Sequence, residues 1–353
     1  MISLNEKEKI INPDEPRKWF YVLSGGGAIG YYQWLVLKYL APLFPPVKIG
    51  GTSAGSLNAL MWSLGLIKET DDLYQAVSKS NAAEITKPGL AKIENGGLQF
   101  NIDAIFKVIF NGLNVLDAPK LLFKKGKIKL GQQLIKNFST ITSLMDNSPL
   151  YETLNRVIPD DFKFQIQYFL TAVSMETGDL IEKSNLDFDD KQDLIKASVA
   201  STTIPIIWQL VKSFNSRQGV VNNLGDGGLR NGSPLSLMFD QLDQDHNYGI
   251  IVINCTPRKM SFMEKLLNIF QILARTASIV MNENLNNDLD PVLKKNEEAL
   301  KYGETIGRKY VPIHIIEYSG DRGAFSFSEE AFKDMANSAY WDASEAINKI
   351  QSV

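Results

Sequence analysis

Histidine and cysteine are nearly missing from this chain. Its 353 residues include two histidines, His246 and His314, and one cysteine, Cys255. A single cysteine excludes an intrachain disulfide, and so few Cys and His leave no Cys-rich zinc site and little for a histidine-based one. A basic excess is also absent. The 37 Lys and Arg against 40 Asp and Glu leave a net charge of −3, which argues against a nucleic-acid binder, whose footprint is a basic surplus. Long apolar runs are lacking too. The longest, Leu57 to Ile67, is interrupted by Asn58, Ser63 and Gly65 and falls far short of the roughly 20 residues that span a bilayer. The N-terminus carries Glu6, Lys7, Glu8, Lys9, Asp14, Glu15, Arg17 and Lys18 where a secretory leader has an apolar core. The expectation is a soluble, cytoplasmic protein, with signal-independent export left open. One more absence bears on function: no Asp or Glu occurs from Phe20 through Lys68.

Hydrophobic residues at 44% and charged residues at 22% are those of an ordinary globular chain. The length allows one large α/β domain with an insertion, or two domains. Trp19 to Leu23 is a short apolar run ending at a glycine cluster and reads as a buried strand. A helix is expected from about Gly30 to Leu43, stopped by Pro45 and Pro46. Val47 to Ile49 reads as a second strand, followed by another glycine loop and a helix from Ser56 to Leu64. Strand, glycine loop, helix, repeated, is the pattern of a parallel α/β sheet. Residues 66–160 change character, with more helix-like and irregular segments. Strands resume at 164–173, 248–254 and 311–317, a helix is expected at 195–201, and long helices at 261–286 and 329–350.

The first loop, Gly25-Gly26-Gly27-Ala28-Ile29-Gly30, satisfies the dinucleotide pattern G-x-G-x-x-G. That pattern also calls for an acidic residue about 20 positions on, to hold a ribose, and none is there. What remains is a run of unobstructed backbone N–H groups at a helix N-terminus, a place that suits anions. The second loop, Gly51-Thr52-Ser53-Ala54-Gly55, matches G-x-S-x-G. Glycines are needed there because a serine nucleophile sits on a sharp strand-to-helix turn. Such a serine needs a base. His314 lies within a strand-like run and reads as a packed or edge-strand histidine, and His246 lies in an acidic loop and reads as part of a solvated turn. Asp226, in Leu224-Gly225-Asp226-Gly227-Gly228, is the other candidate. Asp-Gly is also a common hairpin dipeptide, so both readings stand at this point. Cys255 reads as a small buried hydrophobe.

The glycine loop, the Ser53 pentapeptide and Asp226-Gly227-Gly228, in that order, resemble the patatin-like phospholipase family. Residues 197–205, Asn231 and Pro234, and residues 143–154 resemble family segments as well, so the likeness covers roughly 19–240. The resemblance implies a three-layer α/β/α fold with a mostly parallel sheet. It implies a catalytic core over 19–240 carrying a helical cap insertion at 66–160, with 241–353 completing the same domain. It also implies a Ser53–Asp226 dyad without histidine, an oxyanion hole at Gly25, Gly26 and Gly27, a nucleophile elbow flanked by Gly51 and Gly55, and no metal or cofactor. The expected activity is hydrolysis of fatty-acyl esters of phospholipids or lysophospholipids. A general esterase or neutral-lipid lipase on the same dyad, and a silent lipid-binding homologue, are the alternatives. One departure stands out: the family usually carries Arg or Lys where this chain has Ile29, and Arg230 is a candidate substitute. Family members can require an activator, so an unknown one is a further possible partner.

Residues 104–138 place Ile105, Phe106, Val108, Ile109, Phe110, Leu121, Leu122 and Phe123 beside Lys107, Lys120, Lys124, Lys125, Lys127, Lys129 and Lys136. Apolar groups among clustered lysines suit peripheral contact with an anionic membrane, and equally a cap with a solvated lysine face.

Overall fold

The computed structural model describes residues 17–94, 97–109, 132, 136–137, 139, 141–243, 247–259, 269–306 and 309–352. His246, most of the lysine-rich stretch and residues 261–268 therefore lie outside the described residues.

Twelve strands are described: β1 (Lys18–Leu23), β2 (Pro46–Thr52), β3 (Lys87–Pro88), β4 (Ala91–Glu94), β5 (Gly97–Phe100), β6 (Met145–Asp146), β7 (Gln167–Ser174), β8 (Leu180–Ser184), β9 (Val211–Ser216), β10 (Gly219–Asp226), β11 (Tyr248–Asn254) and β12 (Ile313–Glu317). The described helices are α1 (Gly30–Leu40), α2 (Ala54–Ser63), α3 (Ile67–Lys79), α4 (Ile102–Ile109), α5 (Ser148–Val157), α6 (Lys191–Thr202), α7 (Leu235–Phe239), α8 (Ile269–Ile306) and α9 (Glu329–Gln351). Eight strands form the central sheet, in which β12, β11, β1, β2 and β7 run parallel, β8 and β10 pair antiparallel with β7, and β9 pairs antiparallel with β10.

Both faces of this sheet are covered, which is why β1 and β11 read as unbroken apolar runs rather than alternating ones. Tyr21, Leu23, Ile251 and Ile253 pack with α1, α2, α6 and α9. Phe20, Val22, Ile250 and Val252 pack on the other face with Leu235 and Met238 of α7 and Leu285, Leu289 and Val292 of α8. The result is a three-layer α/β/α arrangement. Residues 66–160 supply α3, α4, α5 and two small antiparallel ladders, β3–β6 and β4–β5.

Several boundaries differ from expectation, among them the ends of α1 and α8. Helix α1 ends at Leu40 rather than Leu43, because Pro42 has no N–H to continue the ladder, although Ala41 before it keeps helical backbone and donates to Leu37 O at 2.9 Å. Helix α8 runs to Ile306, well past residue 286, and passes through Pro291. Pro291 is exposed, as is Asn287, whose carbonyl the missing N–H would have bonded, so water can satisfy that carbonyl. No helix among the described residues is long and apolar enough to cross a membrane.

Candidate active site

Strand β7 brings the two candidate residues together. One edge of β7 is occupied over Phe169–Val173 by β8. Strands β2 and β10 must therefore share the other edge. Strand β2 runs parallel along Gln167–Thr171, and β10 runs antiparallel along Ala172–Ser174. The two strands approach from opposite directions and abut. Strand β2 ends at Thr52, whose hydroxyl lies 2.7 Å from that of Thr171, and β10 ends at Asp226, paired with Ala172. Ser53 follows the first strand and Asp226 closes the second, so their side chains meet: Ser53 Oγ donates to Asp226 Oδ2 at 2.7 Å. The hairpin turn falls at Arg217 and Gln218, not at Asp226-Gly227.

Ser53 sits at φ 55°, ψ −129°, a conformation side-chain-bearing residues rarely adopt. Such strain costs on the order of 1–3 kcal/mol and persists only where the surroundings over-determine it. Here they do. Ser53 N–H donates to Ser201 Oγ at 3.0 Å, and its carbonyl accepts from Ser56 N at 2.9 Å and Ser56 Oγ at 2.7 Å. Gly55 lets α2 seat against the end of β1, since a Cβ there would stand 2.4 Å from the Leu23 carbonyl oxygen. Ser53 itself is only 5% exposed.

The glycine loop lies directly against this turn. A Cβ on Gly25 would come 3.1 Å from Ser53 Cβ. The three glycines are not equivalent. Gly25 N–H already donates to Gly232 O at 3.0 Å, whereas those of Gly26 and Gly27 have no hydrogen-bond partner among the described residues. Gly25 thus provides close approach, and Gly26 and Gly27 provide free donors. The loop ends are held by two buried amides that motif reading missed. Gln33 Nε2 donates to Ser24 O at 3.1 Å and to Ile253 O at 2.9 Å, and Asn58 Nδ2 donates to Gly30 O at 2.8 Å. Their only sequence signal is a polar residue inside an otherwise apolar helical run. Ser201 lies in the 197–205 segment noted for its family resemblance, but nothing in the sequence gave it a role.

Asp226 is 1% exposed and has no cationic partner among the described residues. Burial pushes its carboxyl up to about 7, against the hydrogen bonds from Ser53 Oγ–H and Gly228 N–H that favour the charged form. Gly228 N–H reaches Oδ1 at 2.7 Å, leaving Oδ2 for Ser53. The Asp226 backbone N–H is fixed to Thr203 O at 2.8 Å. A carboxylate with its pKa near neutral and its lone pair on a serine hydroxyl is equipped to take that proton.

A cavity of about 120 Å³ extends from Ser53 and Gly27. Its deep end is apolar and buried, formed by Met61 of α2, Val77 of α3 and Leu150 and Leu154 of α5. Its shallower lining, Thr202, Ile204, Trp208, Ala324 and Phe325, is partly exposed.

Other sequence candidates fall elsewhere. His314 is on the edge strand β12, three strands from β2, a lateral offset of about 14 Å. Burial, and secondarily the charge of Arg17, push it down to about 4, and its ring lies 5.9 Å from that of Trp19. Cys255 is buried, and burial pushes its thiol up to about 12. Ile29 is 3% exposed within the core, so a charge at that position would be buried in this chain. Arg230 is exposed, donates to Gly178 O at 2.8 Å and does not line the cavity.

Comparison with known proteins supplies a family. No curated protein matches the chain in sequence. Among solved structures, VipD from Legionella pneumophila is similar at 14% identity and a TM-score of 0.39, covering 94% of this chain and 67% of that one. The ExoU–SpcU complex from the type III secretion system of Pseudomonas aeruginosa is similar at 12% identity and a TM-score of 0.28. There the match covers 96% of this chain and 60% of that one. The model of the family described as patatin-like phospholipase matches residues 21–239, well over half the chain and the span holding both glycine loops and Asp226. This chain therefore belongs to the patatin-like phospholipase family.

Proposed function

We propose that this protein is a serine lipid acyl hydrolase acting on fatty-acyl esters of phospholipids or lysophospholipids. The observation that carries the reading is the 2.7 Å hydrogen bond from Ser53 to a buried carboxylate at the head of an apolar cavity. In the first step Ser53 Oγ bonds to the ester carbonyl carbon while its proton passes to Asp226 Oδ2. The carbonyl oxygen takes the negative charge, and the unengaged N–H groups of Gly26 and Gly27 are its donors. Removing one such donor costs on the order of 10²–10³ in rate. Collapse of the tetrahedral species breaks the ester C–O bond, and Asp226 returns the proton to the leaving alcohol. Water then attacks the acyl-enzyme, Asp226 takes its proton, and fatty acid leaves with Ser53 restored. An acyl chain suits the cavity, whose depth is lined by the apolar Met61, Val77, Leu150 and Leu154.

We read 19–240 as the catalytic core and 241–353 as completing the same domain, a reading supported by β11 pairing directly with β1. Access to bilayer lipid is assigned to the apolar and lysine-rich residues of 104–138, of which Lys107 and Lys136 are exposed. Flotation with anionic vesicles tests that assignment; lysine-to-glutamate variants that still float would reject it.

The decisive experiment is fatty-acid release from mixed phospholipid vesicles, read by mass spectrometry, for the wild type, Ser53→Ala and Asp226→Asn. Release that both substitutions abolish is expected. Release that survives Ser53→Ala, with contaminating lipase excluded, would overturn the reading. If the wild type releases nothing, the assay is repeated with cell extract; an activator-dependent enzyme then turns on, and a silent homologue does not.

A further inference from the structure

The Asp226 loop is held by a helix outside the span of the family match. That match ends at residue 239, and α8 begins at Ile269. Asn284 and Asp288 lie one turn apart on α8, hence on the same face. Asn284 Nδ2 donates to Leu229 O at 2.6 Å and to Gly228 O at 3.2 Å. The peptide units on both sides of Gly228 are thereby tied, one through its N–H to Asp226 Oδ1 at 2.7 Å, the other through its carbonyl to Asn284.

Asp288 grips the next stretch of chain. It accepts from Leu235 N–H at 2.7 Å, from Asn231 Nδ2 at 3.2 Å, and from both the N–H and the hydroxyl of Ser236. All four donors are neutral. Asn231 in turn donates its N–H to Gly227 O at 2.9 Å, and the neighbouring Gly232 carbonyl is the acceptor for Gly25 N–H at 3.0 Å. One hydrogen-bonded chain therefore runs from α8 to the loop that carries the carboxylate, and on to the loop that approaches Ser53.

We propose that Asn284 and Asp288 are positioning residues for the Ser53–Asp226 pair. They hold Gly228 N–H on Asp226 Oδ1, which turns the other carboxylate oxygen to Ser53 and favours the ionised form. The proposal rests on the hydrolase reading for its consequence in catalysis, and on geometry alone for its consequence at Gly228.

The test uses the full-length protein labelled with ¹⁵N-glycine and three forms: wild type, Asn284→Ala and Asn282→Ala. Asn282 is on the same helix, but its side chain donates to Pro257 O at 3.0 Å and does not reach the Asp226 loop. It reports what a merely structural disturbance of α8 does. In the wild type the Gly228 amide signal should titrate with a midpoint of about 7, following the carboxylate it binds. Asn284→Ala should raise that midpoint by roughly half a pH unit or more, because the charged form loses a well-placed donor. It should also lower kcat about tenfold or more with KM within about twofold, as misplaced catalytic groups do. Asn282→Ala should match the wild type in both. Alanine is the best helix former, so the fold should survive. If it does not, Asn284→Ser, which retains a single donor, should show a smaller shift in the same direction.

An unmoved Gly228 midpoint in Asn284→Ala, or an equal shift in Asn282→Ala, overturns the proposal. The titration needs no turnover. A wild type that hydrolyses nothing even with cell extract, while the Gly228 midpoint moves in Asn284→Ala as described, would sink the hydrolase reading and leave the brace standing.

Discussion

Replacing Asp226 with asparagine should stabilise the protein, and more so as pH rises. Folding buries this carboxyl, so the folded state keeps its proton up to about pH 7, whereas the ordinary value is 3.8. Between those values the folded chain binds more protons than the unfolded one. The stability this provides is therefore complete below 3.8 and is lost as pH rises through about 7. Each pH unit between the two values is worth roughly 1.4 kcal/mol, so at pH 8 the wild type carries a penalty of about 4 kcal/mol, and at pH 5 less than half of that. Asparagine keeps the shape, an acceptor for Gly228 N–H and a donor for Ser53 Oγ, but has no charge to bury. Its advantage over the wild type should thus grow by about 3 kcal/mol from pH 5 to pH 8, or about 4 °C in Tm for a chain of this length. Thermal unfolding of the two proteins at both pH values measures this. All other titrating groups are common to both, so their contributions cancel in the difference. A Tm gap that is the same at both pH values, or shrinks toward pH 8, would refute the claim that burial holds Asp226 near neutrality.

Three further outcomes follow from the same geometry. The rate kcat/KM should fall below about pH 7 with a slope of one proton, as the base Asp226 becomes protonated; a rate still flat at pH 5 would exclude it as the base. Leu150→Trp, at the deep end of the cavity, should cut activity on long-chain esters by an order of magnitude or more and spare short-chain esters, at about 1–3 kcal/mol in stability from overpacking. Equal loss on both chain lengths would mean the acyl chain lies elsewhere. His314, held down to about 4 by burial, should make the wild type lose about 3 kcal/mol as pH falls from 6.5 through that value, since only the unfolded chain takes up the proton there. His314→Gln should flatten that acid limb, and an unchanged limb in a pH-dependent unfolding series would show that His314 is not its source.

Much of the molecule was legible in contiguous residues. The apolar runs of β1 and β11, the two glycine loops and the helices after them announce a parallel α/β sheet, because strand burial and turn chemistry act over a few neighbouring positions. The acid-free stretch from Phe20 to Lys68 also has its counterpart in the fold. It forms β1, β2, α1 and α2 beside the cavity, and its partly exposed Lys38 finds its counter-ion outside, at Asp71, 2.6 Å away. By contrast, β8, β9 and β10 were not foreseen. They lack an unbroken apolar run, and β10, although eight residues long, exposes polar Asn222 and Asn223 amid its apolar positions. Helix α8 outruns its expected end because Pro291 is a poor helix residue by local rules and harmless on a solvent-facing side.

The sequence alone determined the residue types and the strained turn that a serine nucleophile needs, since G-x-S-x-G specifies conformation within five residues. Only the tertiary structure decided that Ser53 and Asp226, 173 positions apart, share one hydrogen bond. That depends on β2 and β10 abutting along a single edge of β7, an arrangement no local propensity encodes. Tertiary structure likewise decided which glycine amides stay unengaged, because Gly232 reaches back to Gly25, and it raised the Asp226 pKa by burying it. Local chemistry is written in neighbouring residues, whereas adjacency and desolvation arise only once distant segments have packed.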